Sequence, residues 1–147
     1  MKKIVIIRIR GTVNVPKYIN QSLDYLRLRQ KFVCIVIEDN KENLGRIKAV
    51  KNYIAFGEID EETLRVLILK RGRKEGDKPV ESAGKAIDEF VKKFLEGKTK
   101  FEDLKIKPFF RLHPPIGGFK KSIKKPFPEG VLGNQNKAIN QLVKRML

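Results

Sequence analysis

The stretch KIVIIRIR, Lys3–Arg10, carries two interleaved sets of side chains. In an extended chain Val5, Ile7 and Ile9 share one face. Ile4, Ile6, Arg8 and Arg10 share the other, apolar at one end and cationic at the other. A secretory leader would continue its apolar run through positions 8 and 10. Two arginines stand there instead, so the stretch reads as a strand and the protein as cytoplasmic. FVCIVI (Phe32–Ile37) is a second strand, buried on both faces, and YIAFG (Tyr53–Gly57) is a short third one ended by its glycine. Two amphipathic stretches lie between them. Pro16 suits the first turn of a helix capped by Asn14 or Val15, with Ile19, Leu23 and Leu26 as a buried stripe running to about Gln30. Asn40 caps a second helix whose Leu44, Ile47 and Val50 share a side. The expected class is therefore α+β: a small three-stranded sheet with β-α-β-α-β connectivity and helices on one face, within residues 1–57.

Residues 58–103 are punctuated differently and are expected to form a helical insertion. DEETLRVLILKRG (Asp60–Gly72) places Asp60, Glu61 and Glu62 at a helix start, Lys70 and Arg71 at its end and Gly72 just beyond, complementing the helix dipole at both ends. SAGKAIDEFVKKFLEG (Ser82–Gly97) repeats the design, with Ser82 as cap, Ala86, Ile87, Phe90, Val91 and Phe94 as the buried stripe and Gly97 as stop. RKEGDKP (Arg73–Pro79) reads as a loop between the two helices. Residues 104–147 are expected to form a basic extended C-terminal arm. It ends in a helix that puts Ile139, Leu142, Val143 and Met146 on one side, docked onto the core. The three segments are expected to make one compact domain.

With 147 residues, 41% of them hydrophobic, the chain can bury a real core. No apolar run approaches the roughly 18 residues that a membrane span requires. The lone cysteine, Cys34, allows no internal disulfide and reads as a small buried hydrophobe within FVCIVI. The charge is far from balanced: 33 basic against 17 acidic residues, a net of +16. Residues 57–103 hold 11 basic and 12 acidic side chains, so the rest of the chain holds 22 against 5. Residues 104–128 contain seven basic residues and no acid. Segregation of this degree implies a polyanionic partner, because solubility alone favours interspersed signs.

No catalytic constellation rises from the residue pattern. His113, the single histidine, precedes Pro114-Pro115 among cations and has no second ligand at metal spacing. Ser82-Ala83-Gly84-Lys85 lacks the glycine spacing and preceding strand of a phosphate loop, and Gly117-Gly118 lacks those of a dinucleotide fingerprint. The acidic pairs Glu61/Glu62 and Asp88/Glu89 fall on expected helices as solvated faces. FFRLHPPIGGFKKSIKKPFPEG (Phe109–Gly130) makes better sense as a binding element. Arg111, Lys120, Lys121, Lys124 and Lys125 offer charge to phosphates, and Arg111 adds a planar fork. Gly117 and Gly118 permit close backbone approach. Phe109, Phe110, Phe119 and Phe127 either stack on unpaired bases or plug into the protein's own surface. So cationic an arm is expected to be poorly ordered by itself and to become ordered on a polyanion. Arg8 and Arg10, Lys17 at the first helix's start, and Arg27, Arg29 and Lys31 near its end form a second cationic zone.

In order and spacing, IRIRG (7–11), LRLRQ (26–30), NYIAFG (52–57), LILKRG (67–72), FRLHPPIGGFKK (110–121) and NQLVKRM (140–146) resemble motifs of a known family. It is the archaeal and eukaryotic type of ribosomal large-subunit protein thirty, called protein seven of the large subunit in eukaryotes. The resemblance covers nearly the whole chain; bacterial-type members are similar only to about the first sixty residues. It implies a non-enzymatic structural constituent of the large ribosomal subunit that binds large-subunit rRNA through a compact core and a basic extension, with no cofactor, metal, membrane or small-molecule substrate. Neighbouring ribosomal proteins are candidate further partners. By matching position it places Arg8, Arg10, Pro16, Lys17, Arg27, Arg29 and Arg46 on the RNA side of the core. It places Arg111, His113, Gly117, Gly118, Lys120 and Lys121 on that of the tail, where Lys124 and Lys125 continue the basic run. The chain begins directly at its first strand, without the long basic extension of eukaryotic members, which favours the archaeal type. Two rivals are a general DNA-packaging protein and an RNA-processing enzyme that would use Asp60, Glu61, Asp88 and Glu89.

Overall fold

The computed structural model describes residues 3–11, 15–38, 40–72, 84–97, 109–113, 115, 122–126, 130–134 and 136–146. The elements are β1 (Lys3–Arg8), α1 (Lys17–Tyr25), β2 (Val33–Glu38), α2 (Lys41–Val50), β3 (Ile54–Glu58), α3 (Glu61–Arg71), α4 (Gly84–Leu95), β4 (Phe110–Arg111), β5 (Ser122–Pro126), β6 (Gly130–Asn134) and α5 (Ile139–Met146). The class is α+β, as expected.

Strand β1 runs antiparallel between β2 and β3, with Ile6 opposite both Ile35 and Phe56, and Ile7 opposite both Cys34 and Ala55. All six of its residues are buried, because the sheet is covered on both sides. Ile4 and Ile6 pack with Ile19 and Leu23 of α1 and with Ile47 and Val50 of α2. Val5 and Ile7 face the opposite way, onto Leu64, Leu67 and Ile68 of α3, Phe90, Val91 and Phe94 of α4, and Leu142, Val143 and Met146 of α5. The helices of the β-α-β-α-β unit thus share one face. The insertion and the terminal helix occupy the other, so helices on one face only is a picture that holds for the unit and not for the whole molecule.

The sheet is also wider than three strands: its order is β4-β2-β1-β3-β6-β5. All three added strands come from the C-terminal segment. Phe110 pairs with Cys34 and Arg111 with Val33 along the free edge of β2, while β6 runs parallel to β3 and β5 parallel to β6. The prolines that argue against a central strand are compatible with an edge, and Pro126 sits at the end of the edge strand β5. Part of the arm therefore takes regular structure within the main sheet. Phe110, fully buried, contributes roughly 1.5–3 kcal/mol by the burial of its ring.

Local signals were mostly where they were expected. The Asn40 side chain accepts from the Asn43 N–H at 2.8 Å and Asp60 from the Thr63 N–H at 2.8 Å, capping α2 and α3. Gly97 stops α4 with φ +80°, a backbone that side chains other than glycine's resist. Ser82 and the loop at Arg73–Pro79 lie outside the described residues. In α5, Asn140 is buried and fully used: its Oδ1 accepts from the Asp60 N–H at 3.1 Å, and its Nδ2 donates to the carbonyls of Glu58 and Lys137, each at 3.0 Å. That amide bolts the C-terminal helix to the β3–α3 junction.

Helix α1 departs from expectation at both ends. Pro16 occupies the capping position, and its carbonyl accepts from the N–H groups of Ile19 and Asn20. The helix ends at Tyr25 and does not reach Gln30. The Leu28 N–H donates to the Leu23 carbonyl (2.8 Å) and the Arg27 N–H to the Asp24 carbonyl (3.0 Å), a Schellman closure sealed by the buried pair Leu23 and Leu28. The reason is steric. Leu26 and Leu28 are both buried, and residues two apart cannot share a face of a helix but do share one side of an extended chain.

Candidate nucleic-acid interface

The early end of α1 builds the site. In LRLRQ the leucines turn inward while Arg27, Arg29 and Gln30 are exposed. Arg27 holds the left-handed position of the closure, φ 64°, where glycine is the usual occupant. Across from it, the β2–β4 register sets Arg111 opposite Val33, which puts its side chain on the α1/α2 side of the sheet. Arg27, Arg29, Gln30, Val33, Phe109 and Arg111 then line one groove of about 340 Å³. The Phe109 ring packs against the α1/α2-side core, with the Arg111 guanidinium 5.9 Å from its centre. No carboxylate lines this groove among the described residues. Its arginines come from segments more than eighty residues apart in sequence.

Arg8, expected at the RNA surface, points inward. The residue is 1% exposed, and its guanidinium donates to the backbone carbonyls of Leu28 and Arg10, and at longer range to the Gly11 carbonyl and Asn20 Oδ1. Desolvation lowers its pKa, and Asp24 partly opposes that shift. The physical reason for the correction is the even face of β1: beyond Ile4 and Ile6 it runs under the α1–β2 connection, where the Leu28 carbonyl accepts from the Arg8 guanidinium. Through that bond Arg8 positions the loop that carries Arg27 and Arg29.

The other expected residues spread around the same side. Arg10 lies 5.4 Å from the centre of the Tyr53 ring. Arg46 stacks 4.0 Å above the ring of Tyr25 and donates to its hydroxyl at 3.0 Å. Lys17 is exposed at the first position of α1. His113 is exposed, and its backbone N–H donates to the Met146 carbonyl at 3.0 Å. Gly117, Gly118, Lys120 and Lys121 lie outside the described residues, as do Phe119 and Phe127. Lys124 and Lys125 are described only by their backbone in β5. The sequence reading missed Tyr18 and Tyr25, both about two-thirds exposed on α1 at 68% and 66%. The missed signal was their spacing of seven, two helical turns, which puts both on one side of the helix, off the buried stripe.

The charge-balanced helices sit across the sheet. There Glu61, Glu62, Arg65, Asp88 and Lys92 line a shallower recess in which Arg65 pairs with Asp88 at 2.6 Å. The Asp60 carboxylate caps α3. Of the acids that a processing centre would use, Asp88 is thus paired with Arg65 and Asp60 is engaged as a helix cap, so neither stands free as a general base. Among the described residues no group of three or more His, Cys, Asp or Glu could hold a metal, and no helix is long and apolar enough to cross a membrane. Cys34 is fully buried, and burial pushes its thiol pKa up, as suits a packing residue.

In class this is a small basic α+β protein that gathers arginines in a groove on one side of its sheet and carries charge-balanced helices on the other. Residues 4–54 match the family described as Ribosomal protein L30p/L7e. The chain is 44% identical to the large ribosomal subunit protein uL30 of Staphylothermus marinus, the match covering 97% of this chain and 96% of that protein. It is 42% identical to the uL30 proteins of Archaeoglobus fulgidus (96% of this chain, 97% of that one) and Aeropyrum pernix (97% of each). The chain belongs to the ribosomal protein L30p/L7e family.

Proposed function

We propose that the protein is a structural constituent of the large subunit of the cytoplasmic ribosome. It binds large-subunit rRNA through the arginine groove and its surroundings on the α1/α2 side, and through the basic segment 104–128. The family is one of structural proteins and not of enzymes, and its relatives carry the large ribosomal subunit in their names. The observation that carries the reading is the meeting of Arg27, Arg29 and Arg111 in a groove whose described lining holds no carboxylate. Three unopposed guanidinium groups at one place fit a phosphate backbone, which they hold bidentately. In this reading the core 1–57 and the extension 104–147 hold RNA, Arg10, Lys17 and Arg46 widen the contact, and residues 58–103 face neighbouring ribosomal proteins. Arg8 positions the loop and makes no RNA contact.

The test is fluorescence anisotropy of the full chain with large-subunit rRNA across a salt series. Each phosphate contact contributes about 0.7–0.9 to the slope of log affinity against log salt. The triple change Arg27→Gln, Arg29→Gln and Arg111→Gln should therefore flatten that slope by about 2–3. An unchanged slope, or equal affinity for duplex DNA of the same length, would count against rRNA as the partner and favour a packaging role.

A further inference from the structure

The groove is more than a patch of charge, because one wall is an aromatic ring and one is an apolar side chain. Phe109 and Val33 provide surfaces that a phosphate cannot use. The same groove is lined by Gln30, exposed, whose side-chain amide makes no hydrogen bond among the described residues. An amide offers both a donor and an acceptor, the pattern that reads a base edge. The volume, about 340 Å³, falls at the small end of the range of roughly 300–1,000 Å³ seen for pockets that enclose a small ligand. A continuous duplex cannot use such a place, since its bases are stacked on one another and present no free face. We infer that the groove takes a single unpaired nucleotide turned out of the RNA, with its base against Phe109, its edge met by Gln30, and its flanking phosphates held by Arg27, Arg29 and Arg111.

This inference rests on the rRNA-binding reading and sharpens it, from a protein that neutralises RNA to one that grips an extruded base. It accounts for two features that charge alone leaves idle. The Phe109 ring is left half-buried beside its fully buried neighbour Phe110. A non-glycine residue is kept at the left-handed position of the α1 closure, where the backbone conformation sends the Arg27 side chain to the groove rim. Stacking on an aromatic side chain tolerates any base, so the preference is for an unpaired nucleotide first and for its identity second.

The test uses the full chain and two RNA hairpins that differ only in one bulged 2-aminopurine nucleotide. The bulged hairpin should bind about tenfold more tightly, and its 2-aminopurine emission should change on binding. Phe109→Leu, which keeps an apolar side chain but removes the aromatic face, should abolish both the preference and the emission change, while Phe109→Tyr restores them. The salt slope should be the same in all three proteins, since no cation is lost. Equal affinity for the two hairpins, or a Phe109→Leu protein that still prefers the bulge, would overturn the extruded-base inference while leaving rRNA binding in place. Failure of hairpins and large-subunit rRNA alike to bind at low salt would overturn the parent reading with it.

Discussion

Replacing Arg27 by glycine should make the protein more stable and a poorer RNA binder at once. Arg27 sits at φ 64° in the closure of α1, where a side chain crowds the following carbonyl. That conformation costs an L-residue roughly 1–2 kcal/mol, which glycine escapes. Glycine in turn makes the unfolded chain freer, a loss of about 0.4–1 kcal/mol. The difference is a gain of about 0.5–1 kcal/mol, or a rise of roughly 1–4 °C in Tm for a chain of this size. The Schellman hydrogen bonds at Leu28 and Arg27 are backbone bonds and survive the change. The guanidinium does not survive, so affinity for rRNA should fall about tenfold at low salt and the salt slope should flatten by about 1.

Thermal denaturation followed by circular dichroism and an anisotropy salt series measure the two effects on the same preparation. Arg27→Ala is the control: it loses the charge and keeps the strained backbone, so binding should fall without the gain in Tm. Arg27→Asn should lie between, because asparagine tolerates the left-handed region better than most residues. If Arg27→Gly melts no higher than Arg27→Ala, the backbone there is not strained. If it binds RNA as tightly as the native protein, the residue is held in that conformation for some other reason.

Asn140→Leu should cost about 2–4 kcal/mol in urea denaturation, since it strands the Asp60 N–H and the Glu58 and Lys137 carbonyls that the amide now joins; a loss below 1 kcal/mol would mean the terminal helix is not bolted there. Arg8→Met should lower stability by a similar amount and weaken RNA binding with an unaltered salt slope, because Arg8 acts by positioning the Leu28 segment; a slope flattened by a full unit would instead make it a phosphate contact. Burial raises the Cys34 thiol above its ordinary value of 9.0, so the folded state keeps a proton that the unfolded state releases. Its stabilising contribution is complete below that pH and declines above it. The stability gap between the native protein and Cys34→Ala should therefore narrow by about 1.4 kcal/mol per pH unit beyond pH 9, and a constant gap up to pH 10.5 would refute the shift.

Much of the central architecture could be read directly along the chain, because its signals are local. Alternation in KIVIIRIR, the caps Asn40 and Asp60 and the apolar stripe of the last helix each depend on a few consecutive residues and the geometry of one element. Charge segregation was equally legible, being a property of composition. Other features depend on neighbours distant in sequence, and these only the assembled fold decided. Arg8 and Arg10 look alike in sequence, yet one is buried under loop carbonyls and the other lies beside Tyr53. Nothing local ends α1 at Tyr25; the demand to bury both Leu26 and Leu28 against the sheet does. The proline-rich tail gives no strand signal of its own. It gains β4 because the edge of β2 offers unpaired backbone groups and the core accepts Phe110. The groove follows from that last event: Arg111 joins Arg27 and Arg29 only when β4 is laid beside β2, and such a pairing between remote segments leaves no periodicity in either one.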